Sequence, residues 1–231
     1  MTVKTDKPCV VLVSGGLDSA VTLAIAVRQG FTAHGLTVHY GQRHAIEIAS
    51  ARKVFNSISD AEHKVIDLDL RLFGGSALTD DLAVPKGTIP EKDLAVPSTY
   101  VPARNTIFLS LALSWAEALG ARDIFTGISA VDYSGYPDCR PRFVEAFEQV
   151  ANLGTKAGDT GQSFKIHTPL IQLTKGETVK KGLELGVNFG LTWTCYDPLP
   201  RGLPCGECES CYLRAKGFKE AGVTDPLLNA L

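Results

Sequence analysis

The sequence predicts an α/β fold with a doubly wound, mostly parallel sheet. Short apolar runs, typical of buried strands, alternate along the chain with longer segments that repeat apolar residues at helical spacing. Strands that alternate with helices in this way indicate a parallel sheet. The chain has 231 residues, of which 45% are hydrophobic, and this suffices for one α/β domain with a small appendage. We expect a main domain over 1–190 and a cysteine-rich subdomain over 191–231.

The elements follow in order from the apolar spacing and from the glycines and prolines that end each run. The predicted strands span 9–13, 31–38, 64–68, 123–126 and 164–168. The predicted helices span 17–29, 44–55, 106–119, 141–154 and, from a capping box at 174–177, the residues up to 186. Ligands of such a sheet bind at the carboxyl ends of the strands, near the switch in strand order.

The segment 70–100 interrupts this rhythm. Its glycines and prolines leave little room for regular structure. Loops of this length inside a compact domain are usually functional or disordered. Two interpretations stay open, a mobile cover over a ligand site and a surface linker.

Composition and charge narrow the choice of partner. The 23 basic and 25 acidic side chains give a formal net charge of −2, so we expect no nucleic acid and no anionic membrane as partner. No apolar stretch approaches the roughly 18 residues of a membrane helix, and no signal-like run follows residues 1–6. We therefore expect a cytoplasmic protein with a small-molecule substrate.

The most informative motif is Ser14-Gly15-Gly16-Leu17-Asp18-Ser19, which lies where the first strand turns into the first helix. Adjacent glycines permit close backbone approach, so N–H groups and a helix N-terminus converge on an anion such as a phosphate. The hydroxyls add donors, and Asp18 suits a magnesium ion carried by a nucleotide. The motif lacks the ending of a Walker loop. The alternative is an ordinary tight turn between strand and helix.

Four of the six cysteines crowd together near the C-terminus, at Cys195, Cys205, Cys208 and Cys211. In a reducing compartment this clustering indicates a metal site rather than disulfides. Four thiolates can close the tetrahedral shell of a structural zinc ion. An iron–sulfur cluster takes the same ligands, although the spacing departs from the ferredoxin pattern, and unmetallated cysteines are the further alternative.

The loop over 127–141 carries groups that suit a flat, polar heterocycle. Tyrosines can stack on such a ring, carboxylates can accept its N–H groups, and an arginine can pair with its carboxylate. The candidate substrate-binding residues are Asp132, Tyr133, Tyr136, Asp138 and Arg140. Cys139 in the same loop is a candidate reactive thiol. The alternative is a rigid surface loop with stray aromatic residues.

Together these motifs resemble the 7-cyano-7-deazaguanine synthase family, a branch of the N-type ATP pyrophosphatases. The resemblance spans nearly the whole chain, through 14–19, 38–44, 101–105, 129–142, 168–175 and the cysteines. It implies an adenine nucleotide α-hydrolase-like (PP-loop) fold and ATP-dependent conversion of 7-carboxy-7-deazaguanine and ammonia to the nitrile. The implied intermediates are an adenylated acid and an amide. The implied cofactors are ATP, Mg²⁺ and one structural Zn²⁺ per chain, and the implied assembly is a homodimer.

The resemblance also implies roles for individual residues. Residues 14–19 would hold the phosphates and metal, and strand-end residues would lie near the adenine; the further nucleotide-binding candidates are Thr37, Val38, Tyr40, Arg43 and Asn105. The candidate catalytic residues are Asp18, Lys175 and Arg104. Asn105 alternatively only caps its helix. The substrate carboxylate would pair with Arg140 or Arg142, and the guanine-like edge with Asp132 or Asp138. No general base is assigned.

Two rival functions stay open. A tRNA thiolation enzyme uses the same adenylation chemistry, but it needs a cysteine relay, for which only Cys139 is available, and a basic RNA surface. A non-enzymatic zinc-ribbon module would leave the phosphate loop unexplained.

Overall fold

The computed structural model describes residues 7–42, 46–87, 96–129 and 135–227. Within them, one parallel sheet has the strand order β3-β2-β1-β4-β5. The strands are β1 (Pro8–Leu12), β2 (Thr32–His39), β3 (His63–Asp67), β4 (Asp123–Phe125) and β5 (Lys165–His167). The order reverses between β1 and β4, which places the switch point directly beyond β1. The predicted doubly wound α/β class is confirmed.

The helices lie close to the predicted positions. They are α1 (Leu17–Arg28), α2 (Ile46–Ile58), α3 (Arg104–Leu119), α4 (Pro141–Leu153), α5 (Lys156–Asp159), α6 (Lys175–Glu184) and α7 (Glu209–Ala221). The predicted capping box opens α6, because Thr174 Oγ1 accepts from Glu177 N and the Glu177 carboxylate accepts from Thr174 N at 2.8 Å. Pro141 begins α4, where its missing N–H costs no helical hydrogen bond.

Two helices, α5 and α7, were not predicted from the sequence. The short α5 completes only about one turn, and its N-cap Thr155 accepts from Gly158 N at 3.1 Å. In α7 the buried residues are Arg214, Gly217 and Phe218, of which one is a large hydrophobe, so the apolar period is too weak to predict a helix.

The two faces of the sheet pack on different helices. Val10 of β1 joins a core with α3 and α4 residues such as Leu109 and Phe147. Its neighbours Cys9 and Val11 point to the opposite face and pack with Leu23 and Phe55 of α1 and α2, as the two-residue strand period requires. Burial raises the pKa of the Cys9 thiol to about 12, so this side chain is a neutral, small residue of the core.

The C-terminal helix is held against the main sheet domain. Phe218 of α7 packs with α1 and α6 residues in a common apolar cluster, and its ring meets Phe189 edge-to-face at 5.4 Å. Arg214 forms a buried, bidentate ion pair with Asp225, with Nε–Oδ2 and Nη2–Oδ1 distances of 2.6 and 2.8 Å. These contacts fix the position of α7 relative to α6; the domain boundary at 190 stays a prediction.

The described parts of the segment 70–100 are tied to two other regions. Lys86 bridges the backbone of Cys208, and its Nζ lies 2.9 Å from Asp197 Oδ2. On the other side, the Thr99 hydroxyl lies 2.9 Å from the Tyr136 hydroxyl. The segment therefore contacts both the cysteine cluster and the loop after β4, and its interpretation as a cover over the site stays a prediction.

Across the described ranges, no helix combines the length and the apolar character that crossing a bilayer requires.

Candidate active site

A cavity opens at the carboxyl ends of β1, β2 and β4, where the strand order reverses. Its wall combines the phosphate loop, the segment 126–129 after β4, Lys175, the first turns of α2 and α3, and parts of 193–213. Residues far apart in sequence thus face one space. This position is where doubly wound sheets bind ligands.

The phosphate loop has the predicted strand–turn–helix geometry. Gly15 has a φ of 87°, and a Cβ there would lie 2.5 Å from the Glu47 carbonyl oxygen, so only glycine fits both the conformation and the contact with α2. Gly16 is the N-cap of α1. Ser14 Oγ donates to Ser19 Oγ at 3.2 Å, and Ser19 Oγ donates to the Gly16 carbonyl at 3.0 Å. The hydroxyls and N–H groups therefore surround the start of the helix.

Asp18 and Lys175 meet although 157 residues separate them in the chain. Lys175 Nζ lies 2.8 Å from both carboxylate oxygens of Asp18. Asp18 stands in the first turn of α1, and Lys175 is the first residue of α6. A carboxylate and a cation thus lie together at the start of α1, a combination that could hold a metal-bound phosphate.

Arg104 brings a second cation to the cavity. Its guanidinium lies 5.9 Å from the centre of the Tyr40 ring and 6.0 Å from that of Tyr136. Burial alone would lower the pKa of Arg104, but the phenols of Tyr40, Tyr136 and Tyr196 raise it, so the side chain stays charged. Burial raises the pKa of Tyr40 to about 12, and this phenol stays neutral. Arg104 is therefore a fixed positive charge in an aromatic wall.

A strained residue sets the direction of Arg104. The preceding Ala103, with a φ of 54°, has a left-handed backbone and is the one such non-glycine residue within the described ranges. This conformation costs an L-residue about 1 kcal/mol. Strain of this kind concentrates at functional sites, and here it directs the first residue of α3 into the cavity.

Glu47, in the first turn of α2, was not predicted as a site residue. Its side chain lines the cavity. Burial raises the pKa of Glu47 to about 7, against the opposing effects of Arg104 and of a hydrogen bond with Gln42. The available signal was an acidic residue soon after the second strand, at the start of a helix, and that pattern is also typical of an ordinary solvated helix end. The other missed lining residues include Gln42, Phe108, Trp193, Tyr196, Ser210 and Leu213.

The nucleotide-binding candidates from β2 lie in different places. Val38 and Tyr40 line the cavity. The Thr37 hydroxyl instead donates to the Val13 carbonyl and lies 2.8 Å from His63 Nε2, so its side chain is engaged inside the sheet. Only the backbone of Thr37 is left for a nucleotide. Arg43 lies outside the described residues.

The candidate residues in the loop after β4 also lie in different surroundings. Tyr136 and Cys139 line the cavity. Asp138 is buried, and its Oδ2 accepts from Asn105 N at 3.1 Å, so this carboxylate caps α3. Asn105 lines the cavity as well, and its Nδ2 donates to the Asp138 carbonyl and to Cys139 Sγ at 3.1 and 3.3 Å. Arg140 is the N-cap of α4. Asp132 and Tyr133 lie outside the described residues.

The four predicted ligand cysteines converge. Their Sγ atoms all lie within 4.8 Å of one another. Sulfurs on a tetrahedral zinc ion, with Zn–S distances of about 2.3 Å, lie about 3.8 Å apart, so the cluster fits a single ion. Hydrogen bonds from the Cys195 and Cys211 thiols hold the pKa of Cys208 well below its usual range, while that of Cys195 is raised to about 12. Without a cation, the sulfurs of Cys195, Cys208 and Cys211 therefore do not ionise together.

The cluster adjoins the cavity. Tyr196 follows Cys195, and Ser210 lies between Cys208 and Cys211; both line the cavity. Ser210 Oγ donates to the Thr194 carbonyl at 2.6 Å. A metal ion held by these cysteines would fix one wall of the site.

A parallel sheet with this order and a Ser-Gly-Gly-x-Asp-Ser loop after β1 defines the PP-loop class of α/β proteins. Consistent with that fold, the structure is similar to a 4-thiouridine synthetase solved with RNA and ATP. The TM-score is 0.52 at 18% identity, over 97% of this chain and 52% of that one.

The chain belongs to the family described as queuosine biosynthesis protein QueC, whose model matches residues 8–222. It is 60% identical to a 7-cyano-7-deazaguanine synthase from Paramagnetospirillum magneticum, over 95% of this chain and 97% of that protein. It is 61% identical to one from Syntrophotalea carbinolica, over 95% of each. The family resemblance inferred from the motifs is confirmed.

Proposed function

We propose that this chain converts 7-carboxy-7-deazaguanine and ammonia to 7-cyano-7-deazaguanine, with cleavage of ATP to AMP and pyrophosphate. The observation that carries the proposal is one cavity shared by the Asp18–Lys175 pair and by Arg104 within its aromatic wall. The Asp18–Lys175 pair suits a metal-bound polyphosphate. Arg104 and the aromatic rings around it suit a flat, anionic heterocycle. Relatives with the matching name support the choice of substrate.

The nucleotide would occupy the phosphate-loop side of the cavity. Its phosphates would accept from the N–H groups at the start of α1 and from the serine hydroxyls. Asp18 would hold the Mg²⁺ that the nucleotide carries, and Lys175 would neutralise charge on the departing pyrophosphate. Val38 and Tyr40 would border the adenine, with the backbone of Thr37 behind them.

The acid would lie against the phenol-rich wall. Arg104 is placed to pair with its carboxylate and to hold the carboxylate oxygen toward the α-phosphate. Tyr136 would stack on or bond to the ring. Arg140, Asp132, Tyr133 and Asp138 stay predictions for the heterocycle, and Asp138 would have to leave its capping bond to serve.

The chemistry follows from the poor reactivity of a carboxylate. Transfer of the adenylyl group to the carboxylate oxygen creates a good leaving group, and ammonia then displaces AMP to give the amide. A second adenylation on the amide oxygen, followed by loss of the two N–H protons and of AMP, gives the nitrile. One arrangement of Asp18, Lys175 and Arg104 serves both adenylations, because the transferred group is the same.

We assign a structural role to one Zn²⁺ per chain at Cys195, Cys205, Cys208 and Cys211, because four thiolates leave no open position for water.

We also propose a cytoplasmic location, where reducing conditions keep the six cysteines as the free thiols seen in the structure. A homodimer is supported by the exposed Leu72 and Phe73, which are 81% and 80% accessible. Sedimentation velocity tests the dimer.

The decisive experiment incubates purified protein with ATP, ammonium and 7-carboxy-7-deazaguanine and follows the products by mass. We expect the amide and then the nitrile, with AMP and pyrophosphate released only when the acid is present. ADP and phosphate as the nucleotide products would refute the assignment.

A further inference from the structure

Glu47 is a carboxylate that the adenylation chemistry leaves without a role. Among the described residues that line the cavity, Asp18 and Glu47 are the two carboxylates. Asp18 is held by Lys175 at 2.8 Å and stands in the phosphate loop. Glu47 is thus the lining carboxylate that neither lysine nor the phosphates engage.

The backbone of Glu47 lies directly against the phosphate loop. Its carbonyl oxygen is the nearest atom to the position that a Cβ on Gly15 would occupy, at 2.5 Å. The first turn of α2 therefore contacts the loop that binds the phosphates, while the Glu47 side chain extends into the same cavity. The Glu47 side chain interacts with Arg104, the residue proposed to pair with the substrate carboxylate, so it would lie beside the carbon that becomes the acyl adenylate.

The surroundings of Glu47 favour proton transfer. The described charged or titratable groups that interact with it are Arg104 of α3 and the Tyr40 phenol after β2, and its amide partner is Gln42. Burial outweighs the attraction of Arg104 and raises the pKa of Glu47 to about 7. A base works best when its pKa lies near the working pH.

We propose that Glu47 is the general base of the amide-forming step, an assignment that rests on the proposed function. Ammonia adds its lone pair to the carbonyl carbon of the acyl adenylate and becomes a cationic nitrogen in the tetrahedral intermediate. The Glu47 carboxylate accepts one N–H proton from this nitrogen. The intermediate then collapses, the C–O bond to the adenylate breaks, and AMP leaves with the bonding pair. The protonated Glu47 returns its proton to solvent.

The test compares Glu47→Gln with the wild type in two half-reactions. Acid-dependent ATP–pyrophosphate exchange reports adenylation alone, and we expect it to stay within about threefold of wild type. Amide formation with ammonium should fall by about 10²–10⁴-fold, the range of a lost general base. With hydroxylamine, whose adduct is acidic enough to give its proton to water, hydroxamate formation should stay near the wild-type rate.

The pH profile gives an independent measure. A base must be unprotonated, so at a fixed concentration of free ammonia wild-type amide formation should rise with pH through an inflection near 7 and then level off. Glu47→Gln should lack this inflection, and Glu47→Asp should keep it at a lower rate. Glu145→Gln, on an exposed position of α4, is the matched control and should leave both half-reactions unchanged.

Several results would overturn the assignment. Equal losses with ammonium and hydroxylamine, with exchange intact, would exclude a role in proton transfer. A tenfold or larger rise in the KM for the acid in the exchange reaction would make Glu47 a ligand of the heterocycle instead. If Glu47→Gln does not fold, loss of the inflection in Glu47→Asp overturns the proposal. Failure of the wild type itself to form amide would refute the proposed function, not this role.

Discussion

At the scale of single residues, the Asp18–Lys175 contact has a consequence for catalysis. The ion pair is partly exposed, with side-chain accessibilities of 31% and 11%, so solvent screens it and it contributes only on the order of 1 kcal/mol to stability. Its main significance is that it holds two charges where the polyphosphate would bind. The pair can open when a nucleotide provides other partners for both groups.

We therefore expect Asp18→Asn to abolish pyrophosphate release while the protein stays folded. Loss of the charge removes the oxygen ligand for Mg²⁺, but the amide keeps the shape of the loop. Product release and thermal melting measured on the same preparation test this. Turnover within a few-fold of wild type would remove Asp18 from the mechanism.

Cys139 gives a second prediction, which separates amide synthesis from thiolation. Burial raises the pKa of this thiol to about 11, so little thiolate is present at neutral pH. Cys139→Ser should keep most of the nitrile synthesis, because ammonia rather than a protein persulfide supplies the new atom. A complete loss with unchanged ATP–pyrophosphate exchange would point to sulfur chemistry.

The predictability of these residues depended on how local their signal was. Residues 14–19 could be predicted because the glycines, the hydroxyls and the helix start stand together in sequence. Glu47 could not, because its interaction partners Arg104, Tyr40 and Gln42 all lie outside its own helix. The capping role of Asp138 likewise depends on Asn105, which lies 33 residues away.

At the scale of elements, α7 is fixed by one buried ion pair. Arg214 and Asp225 are each 5% exposed, and Arg214 also donates to Thr192 and to the Phe189 carbonyl. Removing one partner of such a pair leaves the other charge without compensation.

Arg214→Met should lower the free energy of unfolding by about 3–5 kcal/mol, since it leaves the Asp225 carboxylate buried and unpaired. Denaturant titration measures the loss. The double variant Arg214→Met with Asp225→Leu should recover a large part of it. No recovery would mean that the hydrogen bonds to Thr192 and Phe189, rather than the charge pair, hold the helix.

Elements with a strong apolar period could be predicted from sequence, and those without one could not. The capping box and the proline that begin α6 and α4 are local signals, and both helices start at the predicted residues. In α7 one of the two large buried side chains is the paired Arg214, a residue type that sequence patterns assign to the surface.

At the scale of the whole molecule, the cysteine cluster joins three separate regions. Cys195 follows the segment that contacts the phosphate loop, Cys208 is the N-cap of α7, and the Lys86 backbone bridges Cys208. A metal ion at the cluster would therefore couple the segment 70–100, the cavity wall and the C-terminal helix.

Elemental analysis should find one zinc per chain. Cys208→Ser should lose the metal and lower the melting temperature, because the remaining thiols cannot close a tetrahedral shell. Cys139→Ser, which changes a thiol outside the cluster, serves as the matched control and should keep its zinc. Iron with sulfide and a visible chromophore would contradict the assignment.

The left-handed residue Ala103 affects the rigidity of the site more than the stability of the protein. A glycine at this position would relieve the left-handed backbone of its steric cost, but it would also add freedom to the unfolded chain, and the two effects, each about 1 kcal/mol, largely offset. Alanine therefore gains the protein little or no stability over glycine. What it provides is a narrower range of backbone directions leading into Arg104. Rigidity in front of the cationic side chain that faces the cavity, rather than tolerance to heat, is the property for which this position is suited.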